Sequence, residues 1–338
     1  MSTIRLPVST SLPLVVALGI LVAVACGGGK NPLETATPTL PVTITTPTPT
    51  AAVTSSPRPS PTQTRSPQSL EWLQSTVNVP ALPSPFADPA LDADLQNVIE
   101  TALPDFGGEY SVVVHNLLDG RYAAFNESNV YYGASLFKSS LMYEAFIQRD
   151  AGNLDFAMEV VLEEKYVVYD LGTLEFLGLE EGDIITVEGA IRAMTIASDT
   201  PTAVLMQDLV GVAADQTLLK LGIEDTQFLN RALPATADGM ARLFAAIASG
   251  EGVSDSSRLE MLSLMRQEHF SGGVIAGAPA GTAIAHKTGS FANAGHDVAI
   301  VWGPAGPYII AVLTDASYTL DPVRDVAVAV WAYFEANP

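Results

Sequence analysis

Runs of β-branched and apolar residues predict strands near both ends of a long segment of this 338-residue chain. Residues 110–118 form one such run, and Asp119-Gly120 supplies a turn into a returning strand at 121–126. Further strands are predicted at 283–290, 298–302 and 308–314. Because both ends of the segment contribute strands, we expect them to form one antiparallel sheet.

Apolar residues with helical spacing occupy the positions between and beside these strands. A first amphipathic helix is predicted after Asp88-Pro89, from Leu91, Leu95, Val98, Ile99 and Leu103. Later helices are predicted at 187–195, 202–210, 237–248, 258–267 and 321–334. The expected fold is α/β of the α+β type, in one domain at 88–338: an antiparallel β-sheet made from both ends of the domain, flanking helices, and an all-helical subdomain at about 151–250.

The first 26 residues predict an exported protein. Arg5 precedes an almost uninterrupted apolar stretch at 12–25, which is short for a membrane span and fits the apolar core of a signal peptide. Small residues at 23–25 lead directly into Cys26, and this segment resembles a bacterial lipobox. By that resemblance Cys26 would be lipidated and would tether a lipoprotein to the outer face of the cytoplasmic membrane. Ordinary secretory cleavage and an uncleaved anchor are the alternatives.

Residues 27–68 are rich in Pro, Thr and Ser. A segment of this composition cannot bury enough apolar surface to fold, and it is typical of an extended, partly polyproline-like tether. Such a tether would hold the folded domain away from the membrane.

Composition excludes several classes of function. The formal net charge of −21 argues against nucleic acid as a partner, because phosphates need a basic protein face. A single cysteine excludes an intrachain disulfide, and without paired His or Cys ligands we expect no metal and no cofactor. Lysine is rare, and two of the five lysines, Lys138 and Lys287, lie in the motifs that follow.

A serine and a lysine lie three residues apart in Ser135-Leu136-Phe137-Lys138, directly before a periodic apolar run. Three residues make about one helical turn, so both side chains would share a face near the start of a helix. The free amide groups at a helix start favour the negative charge of an oxyanion. A lysine with a lowered pKa could accept the proton of the serine hydroxyl. The pair therefore predicts a serine nucleophile, although an isolated pair of this kind is more often a capping serine beside a surface lysine.

Two further motifs follow in the chain. Ser198-Asp199-Thr200 lies at a junction between predicted helices, where such residues also serve as ordinary caps. Lys287-Thr288-Gly289-Ser290 ends a predicted strand. There the pleat places Lys287 and Gly289 on one face, and the glycine would let a ligand backbone approach the strand edge.

Together, the three motifs resemble the signature of the class A β-lactamase and penicillin-recognising serine hydrolase superfamily, in which Ser-x-x-Lys, Ser-Asp-Asn and Lys-Thr-Gly occur in this order. The resemblance extends from about residue 91 to the C-terminus. It implies that Ser135 is the acylated nucleophile and that Lys138 is its base or proton relay. It further implies that Ser198 passes a proton to the leaving nitrogen.

The same resemblance assigns the substrate contacts. Lys287 would support Ser198 electrostatically and hold the substrate carboxylate, to which Thr288 would also hydrogen-bond. The backbone amides of Ser135 and Ser290 would form the oxyanion hole, and Gly289 would line the strand edge where the substrate lies.

Two departures from the family pattern bear on the chemistry. Thr200 stands in place of the asparagine that contacts the substrate's acylamino group, so we expect a weaker contact there. The glutamate that activates the deacylating water in class A enzymes is missing from the segment before Leu229-Asn230, where Thr226 holds its place. Glu224 and Asp225 are the nearest acids, and both are expected in a solvated turn.

Three hypotheses remain open on these grounds. The favoured one is a β-lactamase-like hydrolase of β-lactams or related amides with slow deacylation. The second is a penicillin-binding-type D,D-peptidase or an esterase acting on cell-wall peptides. The third is a non-catalytic tethered binding module, which would not need both lysines. The expected partners are a small-molecule or peptide substrate and the membrane, and the chain is expected to be a monomer.

Overall fold

The computed structural model describes residues 76–103, 108–228, 232–316 and 319–338. The predicted signal peptide, Cys26 and the tether at 27–68 lie outside these ranges. Within them, no helix combines the length and the apolar character needed to cross a membrane.

The described strands are β1 (Ala90–Leu91), β2 (Tyr110–Asn116), β3 (Arg121–Phe125), β4 (Tyr131–Tyr132), β5 (Glu159–Val161), β6 (Ile184–Thr186), β7 (Pro234–Ala235), β8 (Ile284–Phe291), β9 (Ala294–Gly303) and β10 (Gly306–Thr314). The helices are α1 (Ala93–Ala102), α2 (Phe137–Asp150), α3 (Glu164–Val167), α4 (Thr173–Leu177), α5 (Val187–Ile196), α6 (Thr200–Lys220), α7 (Ala237–Ser249), α8 (Asp255–Met265), α9 (Val274–Gly277) and α10 (Asp321–Ala336). A short 3-10 helix, Ala134–Leu136, leads into α2.

Strands from both ends of the domain form one central sheet with the order β1-β3-β2-β10-β9-β8. All neighbours are antiparallel except β1 and β3, which run parallel. The N-terminal strand β2 pairs directly with the C-terminal strand β10, with Val113 opposite Ala311. This arrangement, with helices packed against the sheet, confirms the predicted fold class. Strand β8 lies at one edge, so one side of the Lys287 segment is free of strand pairing.

Both faces of the central sheet are buried, because alternate residues of each strand point into different apolar clusters. On β2, Val113 faces a large cluster that includes residues of α2, α5 and α7. Its neighbours Val112 and Val114 face a second cluster, formed with residues of α1 and α10. Burial on both sides explains why the strands are continuously apolar rather than alternating.

The first helix begins later than its apolar spacing predicts. Asp92 caps it, since its carboxylate accepts the backbone amides of Asp94 and Leu95, both at 3.0 Å. The prediction was wrong for Leu91, which belongs to β1, pairs with Tyr122 and leaves 76% of its surface exposed. A capping aspartate directly after Leu91 separates it from the helix despite its matching period.

The middle of the domain is mainly helical, as predicted, but it also contains the antiparallel pair β5 and β6. Residues before Asp88, the predicted start of the domain, also contribute to its packing, because Val79, Leu82 and Phe86 pack against the large cluster. The longest helix of the described residues, α6, starts directly after Asp199 and so places the Ser198 junction against the start of α2.

Candidate active site

Ser135 lies in the 3-10 helix that precedes α2, at a point where the chain is held on both sides. The amide of Gly133 donates to the carbonyl of Leu233 at 2.8 Å, and the ring of His296 contacts the carbonyl of Tyr132 at 2.9 Å. Ala134 has a φ of +46°, a region that non-glycine residues rarely adopt. Backbone strain of this kind persists where the surrounding structure over-determines it, which is common at active sites.

Lys138 is buried one helical turn after Ser135, and its Nζ lies 3.0 Å from Ser135 Oγ. Nζ also lies 2.5 Å from the carbonyl oxygen of Ser198, 3.2 Å from Ser198 Oγ and 3.3 Å from Thr200 Oγ1. A neutral amine has two N–H donors and one lone pair, so it can donate to the Ser198 carbonyl while accepting the Ser135 hydroxyl. The structure thus brings together Ser135, Lys138, Ser198 and Thr200.

The environment of Lys138 favours its neutral form. Burial, and after it the nearby ammonium of Lys287, lower the pKa of Lys138 to about 7. The carboxylates of Asp199 and Glu268 act in the opposite direction. A lysine with a pKa near neutrality is a competent general base at physiological pH.

The Ser198 junction owes its shape to Asp199. Asp199 is fully buried and caps α6 by accepting the amide of Thr202 at 2.8 Å. Its other carboxylate oxygen accepts the hydroxyl of Thr173 at 2.5 Å, which ties the junction to α4. Ser198 itself has a φ of +53°, a second strained position beside the reacting groups. Asp199 therefore serves as a cap and also supports the placement of Ser198.

Gly289 allows β8 to pack directly against the Ser135 segment. A Cβ at this position would lie 2.8 Å from the carbonyl oxygen of Gly133 and 3.1 Å from Leu136 Cγ. The space that the sequence assigns to a ligand backbone is therefore taken, on this side, by the protein's own chain. Ser290, one residue further along, is exposed. The substrate contacts predicted for Thr288, Gly289 and Ser290 stay predictions.

Sequence reasoning missed Glu268, in the turn that follows α8. Its buried carboxylate bonds to the ammonium of Lys287, to the amide of Thr288 at 2.9 Å and to the hydroxyl of Thr288 at 2.7 Å. In the described part of the chain, no hydrogen bond joins Lys287 to Ser198. No local signal could have found Glu268, since a glutamate in a polar turn is ordinarily solvated.

His286 and Asp297 form a buried pair behind the Lys287 segment. His286 Nδ1 lies 3.1 Å from Asp297 Oδ1, and Asp297 Oδ2 accepts the amide of Val274 at 2.8 Å. Burial opposes protonation of His286, but the carboxylates of Asp297 and Glu268 outweigh it and raise the pKa of the imidazole. These contacts indicate a structural role for His286 and for Asp297.

Among the described residues, no acidic side chain is hydrogen-bonded to Ser135 or Lys138. Thr226, at the place of the expected glutamate, is fully buried, and its hydroxyl accepts the amide of Thr236 at 3.2 Å. Glu224 and Asp225 are exposed, as expected for turn residues. Leu229 and Asn230 lie outside the described residues.

Comparison with known proteins finds a matching family model and solved structures of similar fold. A family model described as the beta-lactamase enzyme family matches residues 90–334. No curated protein is significantly similar to the chain in sequence.

Three solved structures show the same fold. A structure of PBP-A has a TM-score of 0.69 at 22% identity, covering 74% of this chain and 99% of its own. The TLA-1 extended-spectrum beta-lactamase has a TM-score of 0.66 at 20% identity, covering 72% and 99%. A beta-lactamase from Sphaerobacter thermophilus has a TM-score of 0.65 at 23% identity, covering 73% and 98%.

Proposed function

Because the chain belongs to the beta-lactamase enzyme family, we propose that it is a serine hydrolase of the class A β-lactamase type, acylated at Ser135 by a β-lactam or a related amide. The observation that carries the proposal is the contact of 3.0 Å between Ser135 Oγ and a buried lysine whose pKa is about 7. A nucleophile and its base within hydrogen-bond reach are the minimal machinery of covalent catalysis.

The contacts support a complete acylation half-reaction. Lys138 Nζ accepts the Ser135 proton while Oγ bonds to the carbonyl carbon, and the electron pair of the carbonyl moves to its oxygen. Return of that pair breaks the carbon–nitrogen bond. The leaving nitrogen takes a proton from the Ser198 hydroxyl, and the ammonium of Lys138, 3.2 Å away, restores it. The product is an acyl-enzyme at Ser135; the amine stays attached to the acyl group when a β-lactam ring opens and departs only from an open-chain amide.

The proposal includes slow deacylation, because the described residues place no carboxylate against Ser135. This observation also favours the second candidate, a penicillin-binding-type D,D-peptidase or an esterase, in which a β-lactam acts as a long-lived label. A structure with the same fold, from a mutant of PBP-A, is described as an acyl-enzyme complex with penicillin G.

Incubation of the purified full chain with a fluorescent penicillin tests the function. We expect covalent labelling at Ser135, located by peptide mass, with release of the label over minutes to hours. Label that never leaves would support the D,D-peptidase. Ser135→Ala should abolish labelling, whereas Ser139→Ala is a matched control, because Ser139 lies in α2 only four residues later and its buried hydroxyl has no hydrogen-bond partner among the described residues. Absence of labelling in the unaltered chain would favour the binding module, and labelling that persists in Ser135→Ala would show that Ser135 is not the acylated residue.

We also propose that the chain is a lipoprotein anchored through Cys26. The support is the position of the single cysteine directly after a signal-like apolar stretch. In cells, Cys26→Ser should move the protein from the membrane fraction to the soluble fraction. Retention of the variant in the membrane fraction would instead indicate an uncleaved anchor.

A further inference from the structure

The donors predicted to hold a substrate carboxylate already hold a carboxylate of the protein. Lys287 Nζ and Thr288 Oγ1 are the two groups that family resemblance assigns to that anchor. Both donate to Glu268 Oε1, and the backbone amide of Thr288 donates to Glu268 Oε2 at 2.9 Å. The side chains of Glu268 and Lys287 are 0% and 1% exposed, so solvent does not compete for these bonds.

Glu268 is held in this position from its own side as well. The backbone amide of the next residue, His269, donates to the carbonyl of Ile196 at 2.8 Å, close to the Ser198 junction. The imidazole of His269 also packs against Phe176, with ring centroids 5.0 Å apart. The turn that carries Glu268 is therefore fastened beside the reacting groups.

A second carboxylate at this anchor would be unfavourable. Two carboxylates that share one site repel each other, and one ammonium cannot neutralise both. A substrate carboxylate would have to displace Glu268 from four hydrogen-bond contacts, or bind without the lysine. A substrate without a carboxylate at this position would neither be repelled by Glu268 nor have to displace it.

Two exposed residues that flank the site are also uncharged. Tyr132, three residues before Ser135, packs against Phe291, the residue after Ser290, with ring centroids 6.0 Å apart. Their side chains are 42% and 47% exposed. Aromatic surface of this kind suits apolar groups on a substrate.

We propose that Glu268 is a specificity-determining residue, which fills the carboxylate anchor and directs the site toward amides or esters that carry no carboxylate at that position. The inference rests on the proposed acylation of Ser135 and names the substrate class of that reaction.

A penicillin and its methyl ester make a matched pair for the test, because they differ only in the carboxylate. With the full chain, the second-order rate constant for labelling of Ser135 should be at least tenfold higher for the ester. Glu268→Gln keeps the shape of the side chain and removes its charge, and it should shift the ratio of the two rate constants at least tenfold toward the acid. Glu260→Gln is the control, because Glu260 lies on α8 and pairs with Arg149, and it should leave the ratio unchanged.

The outcomes separate the two proposals. If the unaltered chain prefers the acid, or if Glu268→Gln folds and leaves the ratio unchanged, the inference about Glu268 is overturned while the acylation of Ser135 stands. If neither compound labels Ser135, the proposed function fails. The affinities of both compounds for Ser135→Ala, measured by calorimetry, then test the inference about Glu268 separately. Tighter binding of the ester supports the inference, and equal binding or tighter binding of the acid overturns it.

Discussion

The imidazole of His296, on strand β9, ties the sheet to the carbonyl of Tyr132, three residues before Ser135, the proposed nucleophile. Its Nδ1 accepts the backbone amide of Thr314 at 3.1 Å, so Nε2 carries the proton and donates to Tyr132 at 2.9 Å. The ring is therefore neutral, and burial lowers the pKa of His296 to about 4. The structure depends on this ring in the form that has one donor and one acceptor.

We predict that His296 makes the protein sensitive to acid. Its folded pKa is below the unfolded value of about 6.5, so its contribution to stability is complete above that pH and is lost as the pH falls toward 4. His296→Asn should lower the free energy of unfolding by about 1–3 kcal/mol at pH 7.5. At pH 5, the difference in the free energy of unfolding between the unaltered chain and His296→Asn should be smaller by about 2 kcal/mol than at pH 7.5.

Urea unfolding at the two pH values measures both effects. Gln216→Asn is the control, because that side chain is exposed and does not titrate, and its curve should follow the unaltered chain at both pH values. A gap between His296→Asn and the unaltered chain that stays constant with pH would contradict the assignment of a neutral, buried ring.

The contact between Ser135 and Lys138 was predictable because its geometry is local. One helical turn determines that Ser135 and Lys138 lie side by side, and nothing else in the fold has to be known. The contact between Glu268 and Lys287 has no such basis, because it exists only after the turn following α8 packs against the edge of β8. The prediction for Leu91 was wrong for a different reason. Its spacing fits the helix, but Asp92, directly after it, caps the helix, so the helix begins later.

A second prediction concerns the pH dependence of acylation. Since Lys138 must be neutral to accept the serine proton, the rate constant for labelling should rise about tenfold per pH unit below pH 7 and level off above it. Lys138→Arg keeps a permanent charge and should reduce the rate by about 10²–10⁴-fold. Stopped-flow fluorescence with a labelled penicillin between pH 5 and 9 gives the profile. Lys220→Arg, at an exposed position, should retain it, and a flat profile in the unaltered chain would show that Lys138 is not the base.

The third prediction concerns Asp199 and the midpoint of the pH profile for acylation. Its carboxylate raises the pKa of Lys138, so Asp199→Asn should shift the midpoint of the acylation profile to lower pH. The amide oxygen can still accept the Thr202 amide, so the cap survives, whereas Asp199→Ala should cost about 0.5–2 kcal/mol of stability. The same labelling assay and urea unfolding separate the two effects.

Asp170→Asn is the matched control for Asp199. Asp170 accepts the amide of Thr173 at 3.0 Å, so it caps the neighbouring helix without acting on Lys138. Its variant should keep the original midpoint. An unchanged midpoint in Asp199→Asn would mean that its charge does not reach the lysine.

The last prediction concerns Thr226, which stands in place of the glutamate of the family pattern. Comparison of motifs alone would suggest restoring it with Thr226→Glu, but that side chain is fully buried and bonds to the amide of Thr236. The added carboxylate would lie without a cation in the space between Thr236 and Gly239, where the hydroxyl of Thr226 would already lie 2.4 Å from a Cβ on Gly239. We therefore expect Thr226→Glu to lower the free energy of unfolding by about 3 kcal/mol or more and to leave the release of label from Ser135 unaccelerated.

Gln227→Glu introduces the same carboxylate at the adjacent, exposed residue and should change stability by less than about 0.5 kcal/mol. Urea unfolding and the rate of label release, measured on both variants, complete the comparison. Faster release in Thr226→Glu without loss of stability would mean that this side chain turns toward Ser135. Slow turnover would then follow from the single residue at position 226. If release stays slow and Thr226→Glu is destabilised, slow turnover is a consequence of how the segment around Thr226 packs on α7. A single substitution at this position then cannot make release fast.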